Sequence, residues 1–506
     1  MSRTPLFATL RRALAIASAA RRAGAPPLDE LADPAAISRR RLLGGMAAVA
    51  LAPAVPAFAQ PRIARRDARI AVVGAGLAGL VAAHRLVAAG AEAVTVYEAN
   101  ARLGGRMFSL RDQLGPGTVC ELGGSFINSE HADMLALARE FELPLEDGEA
   151  GGAGLLGTYF VGGGHRSIAE IAAEAAAFLP RLEAMRAAPE EAKAALDQRS
   201  AAALLDELGV TGWLRRLLDI GLTQEMGLEP DRMSGLYLVD YFAPDPAQPQ
   251  RGLFSSDQRY QIAGGNDRLP AAIAERLGAR IRPRHRLLAL RQRGSVHALT
   301  FDQAGATREV VADIVVLAIP TTVLRQVELE IGAPALTRRA IRELTYGTNA
   351  KLLAGLDARP WRAAGRSGEC LNDLGIQTVW EDHARPGTGA GAMTIFAGGR
   401  DGVAFAQGRA ADRARTAVTA IDAALPGAAA AFNGRTSRMN WPGNPYVSGS
   451  YSCLAPGQWT GLAGAFAPVG RVIFAGEHTS ESHSGYMDGA AESGRLAAEA
   501  VARVLA

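Results

Sequence analysis

The sequence predicts an α/β fold in which a mixed α+β domain is inserted into a domain opened by a βαβ unit. Three observations lead there. A β-branched run, Arg69–Val73 (RIAVV), is followed by a glycine-rich turn, a stretch of helical composition from Ala78 to Gly90, and a second run, Ala93–Tyr97 (AVTVY). Residues 165–220 are dominated by Ala, Leu, Glu and Arg, which reads as several helices. From about 279 to 319 the pattern turns to strands (RIRPRHRLLAL, SVHALTF, DIVVLAIP). The chain closes on a strand and loop, RVIFAGEHTS, and a helix from Gly489 to Leu505.

With 506 residues and 48% hydrophobic composition, the chain has ample core for two or three domains. Its net charge of +3 is unevenly spread. Residues 1–60 hold eight arginines and three acids, a surplus of +5, so the remainder stands at −2 and offers no basic footprint for nucleic acid. Within that segment, Ser38 precedes the paired arginines Arg39 and Arg40. A Gly/Ala-rich apolar stretch and then Ala57-Phe58-Ala59 follow, similar to a twin-arginine export signal cleaved after Ala59 and pointing to a bacterial periplasm. No other apolar run reaches the roughly 18 residues of a membrane span, so no integral membrane protein is expected. Three widely spaced cysteines, Cys120, Cys370 and Cys453, make neither a disulfide framework nor a metal site. Pro244, Pro246 and Pro249 mark a break, residues 345–400 mix short strands with Gly-rich loops, and PGTGAGA (386–392) is a loop with no strand before it.

The turn after the first strand reads Gly74-x-Gly76-x-x-Gly79. Gly74 permits the tight turn, Gly76 lets the backbone approach a pyrophosphate, and Gly79 lets helix and strand pack closely. The helix N-terminus then faces the phosphates, and Glu98, 19 residues after Gly79, is placed to accept from a ribose hydroxyl. A Gly-rich packing turn is the plainer reading, but strand, helix and acid stand in register. Arg102-Leu103-Gly104-Gly105-Arg106 adds a second close backbone approach and a phosphate-pairing guanidinium at Arg106. This resembles the extended FAD fingerprint of the glutathione-reductase-like flavoproteins. A lone strand-borne Gly-x-Gly-x-x-Gly leaves no separate NAD domain.

Further stretches resemble the flavin amine oxidase family, which includes monoamine, polyamine and L-amino-acid oxidases. ELGGSFIN (121–128, with Gly123 and Gly124) is similar to the segment under the flavin, GGNDRLPAAI (264–273) to the second glycine pair, and VVLAIP (315–320) to the strand that rejoins the FAD domain. NWPGNPYVSGSY (440–451) and FAGEHTSESHSGYMDGAAESGRLAA (474–498) are similar to the C-terminal flavin-covering motifs. The resemblance implies a discontinuous FAD domain at 67–145, 256–340 and 437–506. It implies a substrate domain at 146–255 and 341–436, with 1–60 as the leader. It also implies flavin contacts from Leu287, Trp441, Gly476, Glu477 and Met487.

Only two lysines occur in the chain, Lys193 and Lys351. Gly347, Lys351 and Trp361 match the family spacing of a lysine that holds a water against flavin N5, where a compact ammonium stabilises negative charge; a surface strand lysine is the alternative. Tyr451 and Tyr486 match the aromatic cage that orients the amine. Ser450 stands where some relatives carry the cysteine that bonds FAD, so the cofactor is expected to be non-covalent. Phe126 stands where many L-amino-acid oxidases place a carboxylate-clamping arginine, which favours a substrate without a carboxylate there. Tyr241 and Phe242 are candidates for an apolar entrance or for core packing, and His483 for the site or the solvent face. The implied reaction is oxidation of a primary or secondary amine to imine and aldehyde, with O2 reduced to H2O2 or a quinone as acceptor. An L-amino-acid oxidase, or a tryptophan-2-monooxygenase-like enzyme, is the first alternative. Desaturase relatives and a FAD-binding export partner without turnover follow. A homodimer is possible; no metal is expected.

Overall fold

A computed structural model describes residues 5–21, 65–148, 155–243, 257–382 and 388–506. The twin-arginine stretch, Ala57–Ala59 and the three prolines at 244–249 lie outside the described residues.

The strand Ile70–Val73 is buried along its whole length and lies at the centre of a five-stranded sheet. The order is Val472–Phe474, Ile314–Leu317, Ile70–Val73, Val94–Tyr97, Ile281–Arg282, and every pair is parallel. Apolar runs buried on both faces are what a parallel sheet demands, because helices or a further layer cover each side. On one face lie the helices Leu77–Ala88 and Met487–Leu505. They approach so closely that a Cβ on Gly494 would fall 2.4 Å from Ala78 O. On the other face packs a four-stranded sheet built from Ala306–Ala312, Val296–Gln303, Arg286–Arg293 and Glu328–Glu330. The helix predicted from Ala78 begins at Leu77, and the last helix begins at Met487 rather than Gly489.

The second half of the molecule is a seven-stranded sheet in the order Phe432–Asn440, Ala350–Leu356, Gly391–Ala397, Thr378–Asp382, Arg366–Asn372, Leu156–Phe160, His165–Arg166. Gly391 and Ala392, read as loop in the sequence, open one of its strands. Helices Ile168–Ala175, Leu179–Arg186, Glu190–Asp197, Ala201–Glu207, Gly212–Met226 and Gly235–Phe242 form the helical layer. Inside the segment read as a leader, Pro5–Ala20 is a helix packed into that layer's core through Leu10, Ala13, Leu14, Ile16 and Ala17. Among the described residues no helix is long and apolar enough to cross a membrane.

Gly79 fixes the dinucleotide turn by steric necessity, since a Cβ there would lie 1.9 Å from Gly74 O. Gly79→Ala should therefore force helix and strand apart. We expect a loss of more than about 2 kcal/mol in stability, together with a fall in bound flavin measured by the 450 nm to 280 nm absorbance ratio. A variant that purifies yellow with an unchanged melting curve would contradict this account.

Candidate active site

A cavity of about 630 Å3 runs between the parallel sheet and the seven-stranded sheet. Its wall at one end is the glycine turn. Gly74 sits at φ +105°, a conformation that favours glycine, and a Cβ there would meet Ala318 O at 2.5 Å. Gly76 pairs backbone to backbone with Gly104, and a Cβ on Gly105 would come 3.0 Å from Gly76 Cα. The helix Leu77–Ala88 starts with no side-chain cap, so its first N–H groups are left for an anion in the cavity. Gly79 does not line the cavity; it serves the packing below it.

Glu98 lies in the wall and is held by the backbone: Ala75 N donates to Oε2 and Asn100 N to Oε1, each at 2.7 Å. Burial raises its pKa against these hydrogen bonds. Each oxygen keeps a second lone pair for a ribose hydroxyl. Leu287, Gly123, Gly124, Trp441, Gly476 and Met487 are also in the wall. Trp441 donates Nε1 to Leu122 O at 3.0 Å. A Cβ on Gly124 would strike Met487 at 2.7 Å, so the segment and the helix start are mutually shaped.

Arg106 lines the cavity, but its Nη1 is spent on Glu477 Oε1 at 2.9 Å and Ser450 O at 2.8 Å. It ties the Gly104–Gly105 pair to both C-terminal motifs, a structural duty that its reading as a phosphate partner did not include. Burial opposes ionisation of Glu477, while Arg106, His478 and the Ser452 hydroxyl hold its carboxyl below the ordinary value.

Lys351 projects from the buried strand Ala350–Leu356 and is 4% exposed. Its ammonium donates to Glu121 O at 2.8 Å, Gly123 O at 2.7 Å and Ser125 Oγ at 2.6 Å. These three bonds use all three donors. A water held by this ammonium therefore has to replace one of them, and the rotatable Ser125 hydroxyl is the replaceable partner. Burial pulls the Lys351 pKa down to about 8, against the pull of Asp382 and Glu121.

Tyr451 and Tyr486 both line the cavity. Tyr451 OH donates to Glu225 O at 2.7 Å, which fixes its ring. The Tyr486 ring stands edge-on to His131 with centroids 5.4 Å apart. Phe126 is in the wall and begins an aromatic series: Phe126 to Trp380 at 5.8 Å, then Trp380 to Phe396 at 5.5 Å. Tyr241 is not in the wall. It lies on the buried helix Gly235–Phe242 beside Tyr237, because its whole helix is core. His483 is likewise outside the wall, its Nδ1 3.2 Å from Asp488 and its ring against His131. Sequence reasoning missed Trp380, Phe396, Asn349 and His478, all in the wall. His478 is buried, and burial pushes its pKa down to about 4, so it is a neutral wall residue at pH 7. No cysteine lines the cavity: Ser450 donates to Asn349 Oδ1 at 2.7 Å, and Cys453 is buried in the helical core. Among the described residues no cluster of His, Cys, Asp or Glu could hold a metal.

The cavity, its two glycine cradles and its uncapped helix fit FAD. Residues 77–502 match the family model of the flavin-containing amine oxidoreductases. The chain belongs to that family. It is an FAD-dependent oxidoreductase. It is 28% identical over 451 residues to a putative flavin-containing monoamine oxidase, AofH, of Mycobacterium tuberculosis, covering 86% of this chain and 97% of that one. It is 25% identical over 457 residues to an L-amino-acid oxidase of Vipera ammodytes ammodytes, covering 86% and 92%. Cyclohexylamine oxidase from Brevibacterium oxydans IH-35A shares the fold, with a TM-score of 0.75 at 24% identity over 86% of this chain and 99% of that one.

Lys351 gives two linked expectations for a family member. Lys351→Met should slow reoxidation of the reduced enzyme by O2 about 10- to 100-fold while changing anaerobic reduction by less than about threefold. Because the folded pKa is about 8, the wild-type reoxidation rate should fall as pH rises through 8, and the variant should be flat. Stopped-flow absorbance between pH 6 and 10 reads both; parallel profiles would remove Lys351 from oxygen chemistry. The linkage sign is opposite to that of a stabilised lysine. Between pH 8 and 10.5 the unfolded chain binds more protons at this position, so the penalty that Lys351 places on folding shrinks as pH rises.

Proposed function

We propose that this enzyme oxidises a primary or secondary amine that carries no carboxylate next to the reacting carbon. The observation that supports this best is the aromatic wall of Phe126, Trp380 and Phe396 beside Lys351. An apolar group suits that wall, and a carboxylate would be desolvated there without a guanidinium partner. Arg106, a cationic residue of the wall, is engaged with Glu477 and Ser450.

The chain's own residues prepare the substrate. Tyr451, fixed by the Glu225 carbonyl, and Tyr486, braced by His131, present aromatic walls that orient a neutral nitrogen and keep water from the carbon to be oxidised. Phe126, Trp380 and Phe396 receive the apolar substituent. Lys351 keeps a fixed positive charge at the wall below pH 8. FAD, when bound, supplies the two-electron acceptor chemistry that turns the amine into an imine, which hydrolyses in water to aldehyde and amine or ammonia. We further infer that O2 takes the electrons, that FAD is held non-covalently, and that residues 38–59 direct export to the periplasm by the twin-arginine route. N-terminal sequencing of the secreted protein tests the last of these.

A matched screen tests the substrate class: each L-amino acid against the amine left by removing its carboxylate, with peroxide and dye reduction read in parallel. We expect amines to exceed the matching amino acids by at least tenfold in kcat/KM. Phe126→Arg should narrow that gap, since it restores a bidentate partner for a carboxylate. A wild-type response confined to amino acids would overturn the proposal in favour of the L-amino-acid oxidase reading, which relatives such as the Vipera enzyme keep in view. Dye reduction without peroxide would assign the acceptor to a quinone-like partner.

A further inference from the structure

We propose that Trp380 is a positioning residue for Lys351: its indole face closes the remaining side of the ammonium's seat and keeps the side chain charged, so that one ring serves both the aromatic wall and the oxygen step. The inference rests on the assignment of Lys351 to oxygen chemistry.

The sheet brings the two side chains together. Lys351, Phe396 and Thr378 form one row across three neighbouring strands. Trp380 lies two residues along from Thr378 and therefore on the same face. From there the indole reaches back diagonally, and Lys351 Nζ stands 5.4 Å from the ring centre. That is inside the roughly 6 Å over which the negative face of an indole attracts a cation, and the attraction is strongest where water is excluded. Here both partners are buried, Lys351 at 4% exposure and Trp380 at 3%.

The other neighbours of the ammonium leave the ring this task. Its three hydrogen bonds go to two carbonyl oxygens and a hydroxyl, all neutral. Two carboxyl groups and one thiol act on it without forming an ion pair: Asp382 from the strand that bears Trp380, and Glu121 and Cys120 from the strand Val119–Glu121. Asp382 accepts from the Thr394 hydroxyl, Glu121 accepts from Ser109 and Asn266, and burial pushes the Cys120 thiol up, which keeps it neutral.

The indole is also placed for its face and not for its N–H. A buried tryptophan usually finds an acceptor for that group. Among the described residues Trp380 Nε1 has none, and it is buried. Phe126 and Phe396 flank the ring with interplanar angles of 57° and 61°, which fixes its plane. The same ring lines the cavity.

The chain's two lysines make the test direct. Lysine labelled with 13C at Cε gives two signals in the full-length, FAD-loaded protein, and Lys193, on the outer helix Glu190–Asp197, is the internal reference. We expect the Lys351 Hε signal upfield of the Lys193 signal, retained in Trp380→Phe and lost in Trp380→Leu. Leucine also opens space for water, so the charge is tested at constant shape, with mono-, di- and tetrafluorotryptophan placed at position 380 by nonsense suppression. Fluorine weakens the ring face, and the N–H has no hydrogen bond to disturb. The Lys351 midpoint should fall stepwise with fluorine number, by about one pH unit for the tetrafluoro form. The Lys193 midpoint should stay fixed. The pH midpoint for O2 reoxidation of the dithionite-reduced enzyme should move with that of Lys351. A Lys351 midpoint unchanged across the fluorine series overturns the proposal, as does a wild-type Hε signal that coincides with that of Lys193. If the tetrafluoro form does not fold, the mono- and difluoro forms decide. If the Lys351 midpoint follows fluorine and reoxidation does not, the seat stands and the oxygen role of Lys351 falls.

Discussion

A buried ammonium with no carboxylate in direct contact has to find oxygen acceptors, and Lys351 finds them in a segment some 230 residues earlier in the chain. Its three hydrogen bonds run from the strand Ala350–Leu356, next to one edge of the seven-stranded sheet, to the turn at 121–125. They therefore set the register between the two halves of the molecule. Glu121 contributes twice. Its backbone carbonyl accepts from Lys351, while its side chain accepts from Ser109 Oγ at 2.8 Å and Asn266 N at 2.8 Å on the nucleotide side. Burial pushes the Glu121 carboxyl up as it pushes Lys351 down. The ammonium and the carboxylate thus face opposite domains across one residue, each satisfied by hydrogen bonds.

That register explains why the turn is glycine-rich. A Cβ on Gly123 would sit 1.8 Å from Arg106 O, and one on Gly124 would collide with Met487. Leu122 O receives Trp441, and Arg106 joins Glu477 and Ser450. Segments from four distant stretches of chain meet within backbone contact of one another around the cavity. Gly347 continues the pattern: a Cβ there would meet Met226 O and Ser450 Oγ, each at 2.6 Å. Close approach, more than side-chain identity, is what these positions share.

Such close approaches leave a sequence trace, and this is why so much was legible. The glycine turn, the Gly104–Gly105 pair, Gly123–Gly124 and the two C-terminal motifs are all contiguous strings. The structure gathers the residues named from them around one cavity, apart from Gly79, which packs beneath it, and His483. What was illegible is what depends on tertiary direction. Trp380 and Phe396 sit in strands buried along nearly their whole length, where an aromatic reads as core. Tyr241 sits in an apolar helix where burial against neighbours and exposure to a cavity have the same periodicity. The partners of Arg106 are set by loops that no local rule places. The helix Pro5–Ala20 was hidden for a different reason: a basic, Ala-rich stretch ahead of a twin-arginine pair reads as leader. Only packing shows that its Leu10 and Leu14 complete the helical core.

Several of the buried charges are closed by partners from distant elements of the fold. Glu381 is closed by Arg359 and Arg362, at 3.1 Å and 2.6 Å. Glu477 is closed by Arg106, and Asp133 by Arg495 at 2.8 Å. Lys351 has three acceptors. Each of these groups is held by partners that belong to the matched fold, so its desolvation is offset wherever the fold forms. Arg11 stands over the Tyr241 ring, where Tyr486 and Glu225 favour its charge and burial and Arg186 oppose it.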